Sequence, residues 1–288
     1  MSQTVKNYYV PHSSYWPIVA SIGLFLLVKG FSHYLNNNGG TVMMMMGMAV
    51  ILVMVVGWFG AVIRESQAGL YSAQVDRSFR WGMGWFIFSE VMFFAAFFGA
   101  LFYIRFYSVP WLGGGHEAKI LTNEVLWPDF RTEWPSNGPA NVGGDFQTMS
   151  AWGLPAINTL ILLASGMTLT WSHWGMKLNN RRQLILGLVA TVVLGIIFLC
   201  LQVLEYAHAY NDLGLTLGSG VYGSTFFLLT GFHGLHVTLG VIMLIVITLR
   251  CMKGHFTEEN HFGYEATAWY WHFVDVVWLF LFVFVYWL

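Results

Sequence analysis

Seven times along the chain, twenty or more residues pass with almost no charge: segments 16–35, 41–63, 81–104, 153–173, 184–206, 221–249 and 266–287. A helix needs about 20 residues to cross the hydrocarbon core of a bilayer. In hydrocarbon every backbone N–H and C=O must be paired within its own segment, so each run is read as a helix. Of all residues 57% are hydrophobic and only 9% are charged, against about 25% charged in a soluble domain. The chain is therefore predicted to be an all-α polytopic membrane protein with seven transmembrane helices. A net charge of −1 offers nothing to nucleic acid. Cys200 and Cys251 lie in or near apolar segments and match neither a zinc spacing nor a disulfide framework. The polar start, residues 1–17, lacks the ordered features of a cleavable signal peptide.

Most connections are short, which predicts antiparallel neighbours. The gap at 64–80 suggests a division: a two-helix bundle over 1–63, a cytoplasmic linker, and a five-helix bundle over 81–288. The stretch 105–152, rich in Gly, Pro, Trp and Asn, is expected as a surface loop. With the N-terminus in the cytoplasm, Lys6, Arg64, Arg77, Arg80, Lys177, Arg181, Arg182, Arg250 and Lys253 fall on that side. Only Arg105, Lys119 and Arg131 fall opposite. Basic residues concentrate on the cytoplasmic side of membrane proteins, so the long loop and the C-terminus face outward, to the periplasm of a bacterium.

Few ionisable residues lie at membrane depth, and each marks a point where protein, not lipid, must face it. Glu90 stands about ten residues from Arg80, among Phe, Ile, Val and Met. It can be a proton relay, a lipid or polar-ligand contact, or a hydrogen-bonded tie between helices. His233 and His236, at i and i+3, share a helix face beside Gly231, Gly234 and Gly240. His272 and Asp275 repeat that spacing in the last segment, and Glu205 with His208 does so in the fifth. A haem or metal site would use such histidines. The alternative, hydrogen bonding across helices, fits better, because no Cys or HxxxH cluster completes a ligand set. No metal and no catalytic residue are expected. Asn158, Thr159, Ser165, Thr168 and Thr170 in segment four are read as helix–helix contacts. The aromatic run from Trp269 to Trp271 is expected near the cytoplasmic interface, where Trp and Tyr anchor a span.

SEVMFF (89–94), YGSTFF (222–227), TGFHGLHV (230–237) and HFGYEATAWYWHFVDVVWLFL (261–281) strongly resemble subunit III of cytochrome c oxidase, in the haem–copper superfamily. VIRES (62–66) and PAINTLILLASGMTLTWSH (155–173) agree, and the resemblance runs from about Tyr15 to the end. It implies an accessory subunit without haem or copper, which stay in partner subunits. Its helices would form a V, two against five, with structural phospholipid in the cleft. It would pack directly on subunit I, belong with subunit II and the other subunits, and support proton uptake. The complex would take electrons from cytochrome c and reduce dioxygen to water.

By the same resemblance, Glu90 matches the family's buried helix-three glutamate. Arg250 matches an arginine that holds a lipid headgroup, with Lys253 and His255 beside it. Trp58 and Phe59 fall where two tryptophans usually line the lipid cleft. His233, His236, His272, Asp275 and Glu205 are expected as buried polar helix contacts. The sequence departs from the pattern after VIRES, where AGLYSAQV replaces a histidine-bearing run and Tyr71 or Gln74 would stand in. It departs again at Gly99 and Tyr103, where the family has tryptophan and histidine. A quinol-oxidase subunit III, a proton-coupled transporter and a metal-bearing enzyme are the competing functions. The chain length and long outer loop favour a bacterial inner membrane over the mitochondrial one.

Overall fold

The computed structural model describes residues 9–10, 13–115 and 120–288. Lys6 and Lys119, counted in the charge asymmetry, lie outside them. The described chain is helical: α1 Trp16–Leu35, α2 Thr41–Gln67, α3 Ala73–Tyr103, α4 Val109–Leu112, α5 Ile120–Leu126, α6 Leu154–Lys177, α7 Arg181–Asn211, α8 Gly220–Met252 and α9 Phe262–Leu281. A π-helical turn, Ile104–Ser108, joins α3 to α4, and a second, Phe282–Trp287, continues α9. Seven spans are long and apolar enough to cross a membrane, from 20 to 40 residues each. The third, Ala73–Leu112, is the longest. At 1.5 Å per residue it reaches roughly 60 Å, so it projects beyond the hydrocarbon.

The chain divides into two compact units, at Trp81 and Gly82. That boundary lies inside α3. The stretch 64–80 is helical except over 68–72. Hydrogen bonding, not hydropathy, ends a helix, and residues beyond the hydrocarbon keep their backbone bonds.

In the first unit, α1 and α2 pair along glycines. Gly23, Gly30 and Gly47 are the buried residues of these two helices. A Cβ at Gly30 or Gly47 would overlap the backbone of Met44 or Leu27. The close approach therefore requires glycine, as in membrane helix pairs held by van der Waals contact.

In the second unit, α6 and α7 run antiparallel, and Gly187 lies against Ser172 of α6. The most enclosed element is α9. Trp271 is fully buried, with its ring in a slot between Gly195 of α7 and Gly240 of α8. Its Nε1 donates to Ser165 Oγ of α6 at 2.9 Å. Seven residues on, Trp278 Nε1 donates to Thr159 Oγ1 at 2.9 Å. Seven residues before, Tyr264 donates its hydroxyl to Ser172 Oγ at 2.9 Å. Three aromatic donors at heptad spacing thus meet three hydroxyls on an antiparallel helix. Interhelical hydrogen bonds in membranes average about 0.6 kcal/mol each, so the ladder contributes roughly 2 kcal/mol. Of the aromatic run, Trp269 is 40% exposed, whereas Trp271 is enclosed by α6, α7 and α8 and does not face lipid. Thr168 pairs with Thr191 of α7 at 2.8 Å. Asn158 is fully buried yet makes no side-chain hydrogen bond among the described residues.

The stretch 105–152 has structure of its own. It continues the third span through α4, forms α5 and is pinned to the α7–α8 turn. Asn123 Nδ2 faces the carbonyls of Leu112, Trp127 and Phe130 at 2.7–3.1 Å. Phe146 stacks on Tyr222 at 5.4 Å, and Tyr222 N donates to Ser136 O at 3.1 Å.

Gly240→Leu should force the Trp271 ring from its slot and destabilise the protein by roughly 1–3 kcal/mol, the usual cost of overpacking. Gly99→Leu, where a Cβ would have open space, should be near neutral. Thermal unfolding in detergent measures both, and equal effects would contradict the packing account.

Candidate functional site

Glu90 points from α3 to α8. Its Oε2 lies 2.9 Å from His236 Nε2. His236 Nδ1 lies 2.6 Å from Phe232 O, one turn back. A carbonyl only accepts, so Nδ1 carries a proton. The bond to Glu90 then holds one further proton, on the acid or on the ring, and the pair is electrically neutral either way. That neutrality suits an apolar setting, where an unpaired charge is costly. Phe94 and Phe93 pack on the imidazole at 5.0 and 5.9 Å, and Tyr270 stacks at 6.4 Å. Glu90 keeps 21% of its side chain exposed, so the pair lies at the surface of the second unit.

His233 and His236 do not act together. His233 is fully buried, and its Nε2 donates to Val274 O of α9 at 3.2 Å. Its ring packs between Phe198 and Trp278. A separation of three residues turns the side chains by about 60°, enough for one to face α9 and the other α3.

Glu205 is fully buried and accepts from the Tyr286 hydroxyl at 2.5 Å. It does not pair with His208, which bonds Asp212 at 2.6 Å. His272 and Asp275 face each other at 3.5 Å. Asp275 is buried against Gly166, where any side chain would collide with its carboxylate. An outward groove of about 540 Å³ between α6 and α9 is lined by these residues and by Thr170, Trp171 and Trp174. Thus Glu90, His233, His236, Glu205 and the His272–Asp275 pair form four separate contacts. No ligand set converges among them.

Arg250 closes α8. Its guanidinium lies over the Phe256 ring at 4.2 Å, and its Nε is buried without a hydrogen-bond partner among the described residues. Lys253 and His255 follow in the helix exit, and His255 N donates to Arg250 O at 3.1 Å. Arg181 reaches the same exit and donates to Met252 O. In the first unit, Trp58 and Phe59 are 45% and 64% exposed on α2. Tyr71 donates its hydroxyl to Glu65 Oε2 at 2.8 Å. Burial, and then the Glu65 carboxylate, push that hydroxyl above the usual phenol range. The tyrosine that replaces the expected histidine is therefore engaged by the acid of VIRES.

Sequence reading missed one convergent group, His173, His261 and Glu265. The i,i+4 spacing of His261 and Glu265 was legible. The arrival of His173 from another helix was not.

The sequence model of the family described as "Cytochrome c oxidase subunit III" matches residues 6–118 and 129–288. The stretch between, 119–128, contains α5. Proteins named "Cytochrome c oxidase subunit 3" from Scyliorhinus canicula, Hippopotamus amphibius and Danio rerio are each 38% identical to the chain. Each alignment covers 288 residues, 100% of this chain and 99% of the relative.

Glu90→Leu should leave His236 with an unpaired buried nitrogen, at a cost of about 1–3 kcal/mol. The double variant Glu90→Leu with His236→Phe should lose less than the sum of the two single changes. A thermal-unfolding cycle in detergent measures this, and strict additivity would mean that the bond is not formed.

Proposed function

The chain belongs to the cytochrome c oxidase subunit III family, and from that membership we propose that it is the non-catalytic third subunit of a proton-pumping oxidase. It packs on subunit I, beside subunit II. Haem and copper reside in those partners, cytochrome c supplies electrons, and dioxygen is reduced to water there. This subunit stabilises subunit I, supports its proton uptake and retains phospholipid.

One observation carries the scaffold role: the buried acids and histidines of the spans are used in contacts between or within helices. Glu90 meets His236, Glu205 meets Tyr286, His233 meets the backbone of α9, and Asp275 meets His272. Groups engaged in this way hold helices together; a redox centre needs them gathered around one cofactor. The same dispersal argues against the competing reading of His233, His236 and His272 as haem or metal ligands.

Retention of phospholipid is supported by the end of α8. The Arg250 guanidinium lies over the Phe256 ring, and its buried Nε has no hydrogen-bond partner among the described residues. A guanidinium can grip phosphate through two parallel hydrogen bonds. Lys253 adds positive charge at the same exit, and His255 lies beside it. Trp58 and Phe59 offer exposed apolar surface for acyl chains in the first unit.

The chain is a multi-span membrane protein. Its basic residues favour an N-terminus on the cytoplasmic side, or on the matrix side in a mitochondrion. The relatives named above are animal proteins; they support an oxidase membrane and do not favour the bacterial setting expected from chain length and outer loop.

Glu90→Gln should leave oxygen consumption by the assembled complex largely intact, because no electron passes through this residue. Complete loss of oxygen consumption, with haem content unchanged, would overturn the non-catalytic assignment. Arg250→Ala should lower the phospholipid that co-purifies with the complex and shorten its active lifetime during turnover. Unchanged lipid content by mass spectrometry would remove the headgroup role.

A further inference from the structure

At the cytoplasmic end of the second unit, the last turns of α6 meet the first turn of α9. His173, His261 and Glu265 each bring one ligand atom there, all within 4.8 Å of one another. His261 Nε2 lies 3.3 Å from Glu265 Oε1, and His173 Nε2 lies 3.9 Å from the same oxygen. Both nitrogens are buried and neither makes a hydrogen bond among the described residues. A buried imidazole nitrogen without a hydrogen bond is a cost that a native structure has to explain.

The arrangement is already organised for coordination. His261 Nδ1 donates to Thr257 O at 3.1 Å. That bond leaves the Nε2 lone pair aimed at Glu265, in the tautomer that metal-bound histidines show. The two helix ends are fixed by the neighbouring bond from Tyr264 to Ser172 at 2.9 Å. Tyr264 adjoins Glu265, and Ser172 adjoins His173, so one hydrogen bond sets the separation of the ligands. Zinc bonds of about 2.0–2.2 Å in tetrahedral array put neighbouring donors roughly 3.4 Å apart. The observed 3.3 and 3.9 Å need only small side-chain adjustments.

We propose that His173, His261 and Glu265 bind a divalent transition-metal ion, Zn²⁺ by preference, clamping the end of α6 to the start of α9. Two imidazoles and one carboxylate suit zinc; magnesium and calcium take oxygen ligands. The fourth position is left to water. The carboxylate and two neutral rings leave the bound site with a single positive charge. The ion is structural: no electron transfer or group transfer is involved, and the oxidase assignment does not depend on it.

The test uses the purified complex that contains this chain. After chelator dialysis and re-equilibration with Zn²⁺, metal is counted by plasma mass spectrometry. The wild type should hold one more zinc per chain than His261→Gln or Glu265→Gln. X-ray absorption at the zinc edge should give nitrogen and oxygen neighbours for that extra ion. Equal zinc in all three proteins would overturn the site. Should either variant fail to assemble, the chelated wild-type complex is titrated with Zn²⁺. Uptake of one further zinc whose X-ray absorption shows two imidazoles and a carboxylate supports the site, and no such uptake overturns it.

Discussion

Trp271 locks four helices of the second unit together, α6, α7, α8 and its own α9. Its indole touches Gly195 on α7 and Gly240 on α8, and its N–H bonds Ser165 on α6. No apolar collapse drives helices together inside a bilayer, since lipid tails are as apolar as leucine. Association must come from close packing and from hydrogen bonds with few alternatives in lipid. A tryptophan provides both at once, provided that its neighbours are small. Its own helix carries two more donors at seven-residue intervals, Tyr264 and Trp278, each matched by a hydroxyl on α6. Glycine supplies the space and serine or threonine supplies the acceptor.

The same constraint governs the acids and histidines. Each ionisable group at membrane depth has to be neutral or paired. Glu90 and His236 share a proton between two helices, and Glu205 is met by a tyrosine from the end of the chain. These bonds tie distant segments: residues 90 and 236 are 146 positions apart. Chemistry that looks catalytic in a list of residues is used here for assembly. The end of α8 differs, because the buried Nε of Arg250 has no hydrogen-bond partner among the described residues, which supports the proposed headgroup contact.

Among its described residues the two-helix unit shows no such polar ladder. Glycines let the backbones of α1 and α2 approach closely, and Gly23, Gly30 and Gly47 are the buried residues of these two helices. Exposed Trp58 and Phe59 lie on the surface of α2. Such surface is stable in lipid or against another membrane subunit, which accords with membership of a multi-subunit complex.

The number and approximate limits of the spans were legible in sequence, because crossing a bilayer demands an apolar run of fixed length whatever the packing. The candidate residues Glu90, His236, Glu205, His272 and Asp275 were legible too, since charge at membrane depth is rare and conspicuous. The α6 hydroxyls could be recognised as contacts between helices. Helix ends past the hydrocarbon, the short helices within 105–152 and the burial of Trp271 were not legible, for hydropathy is silent outside the bilayer and blind to which face of a helix is covered. Nor could spacing along one helix pair Glu90 with His236, separate His236 from His233, or bring His173 to His261 and Glu265. The sequence by itself determined a seven-span membrane chain and its sparse set of polar residues. Only the tertiary structure decided which of them meet, because the partners come from different helices and their meeting depends on how those helices pack.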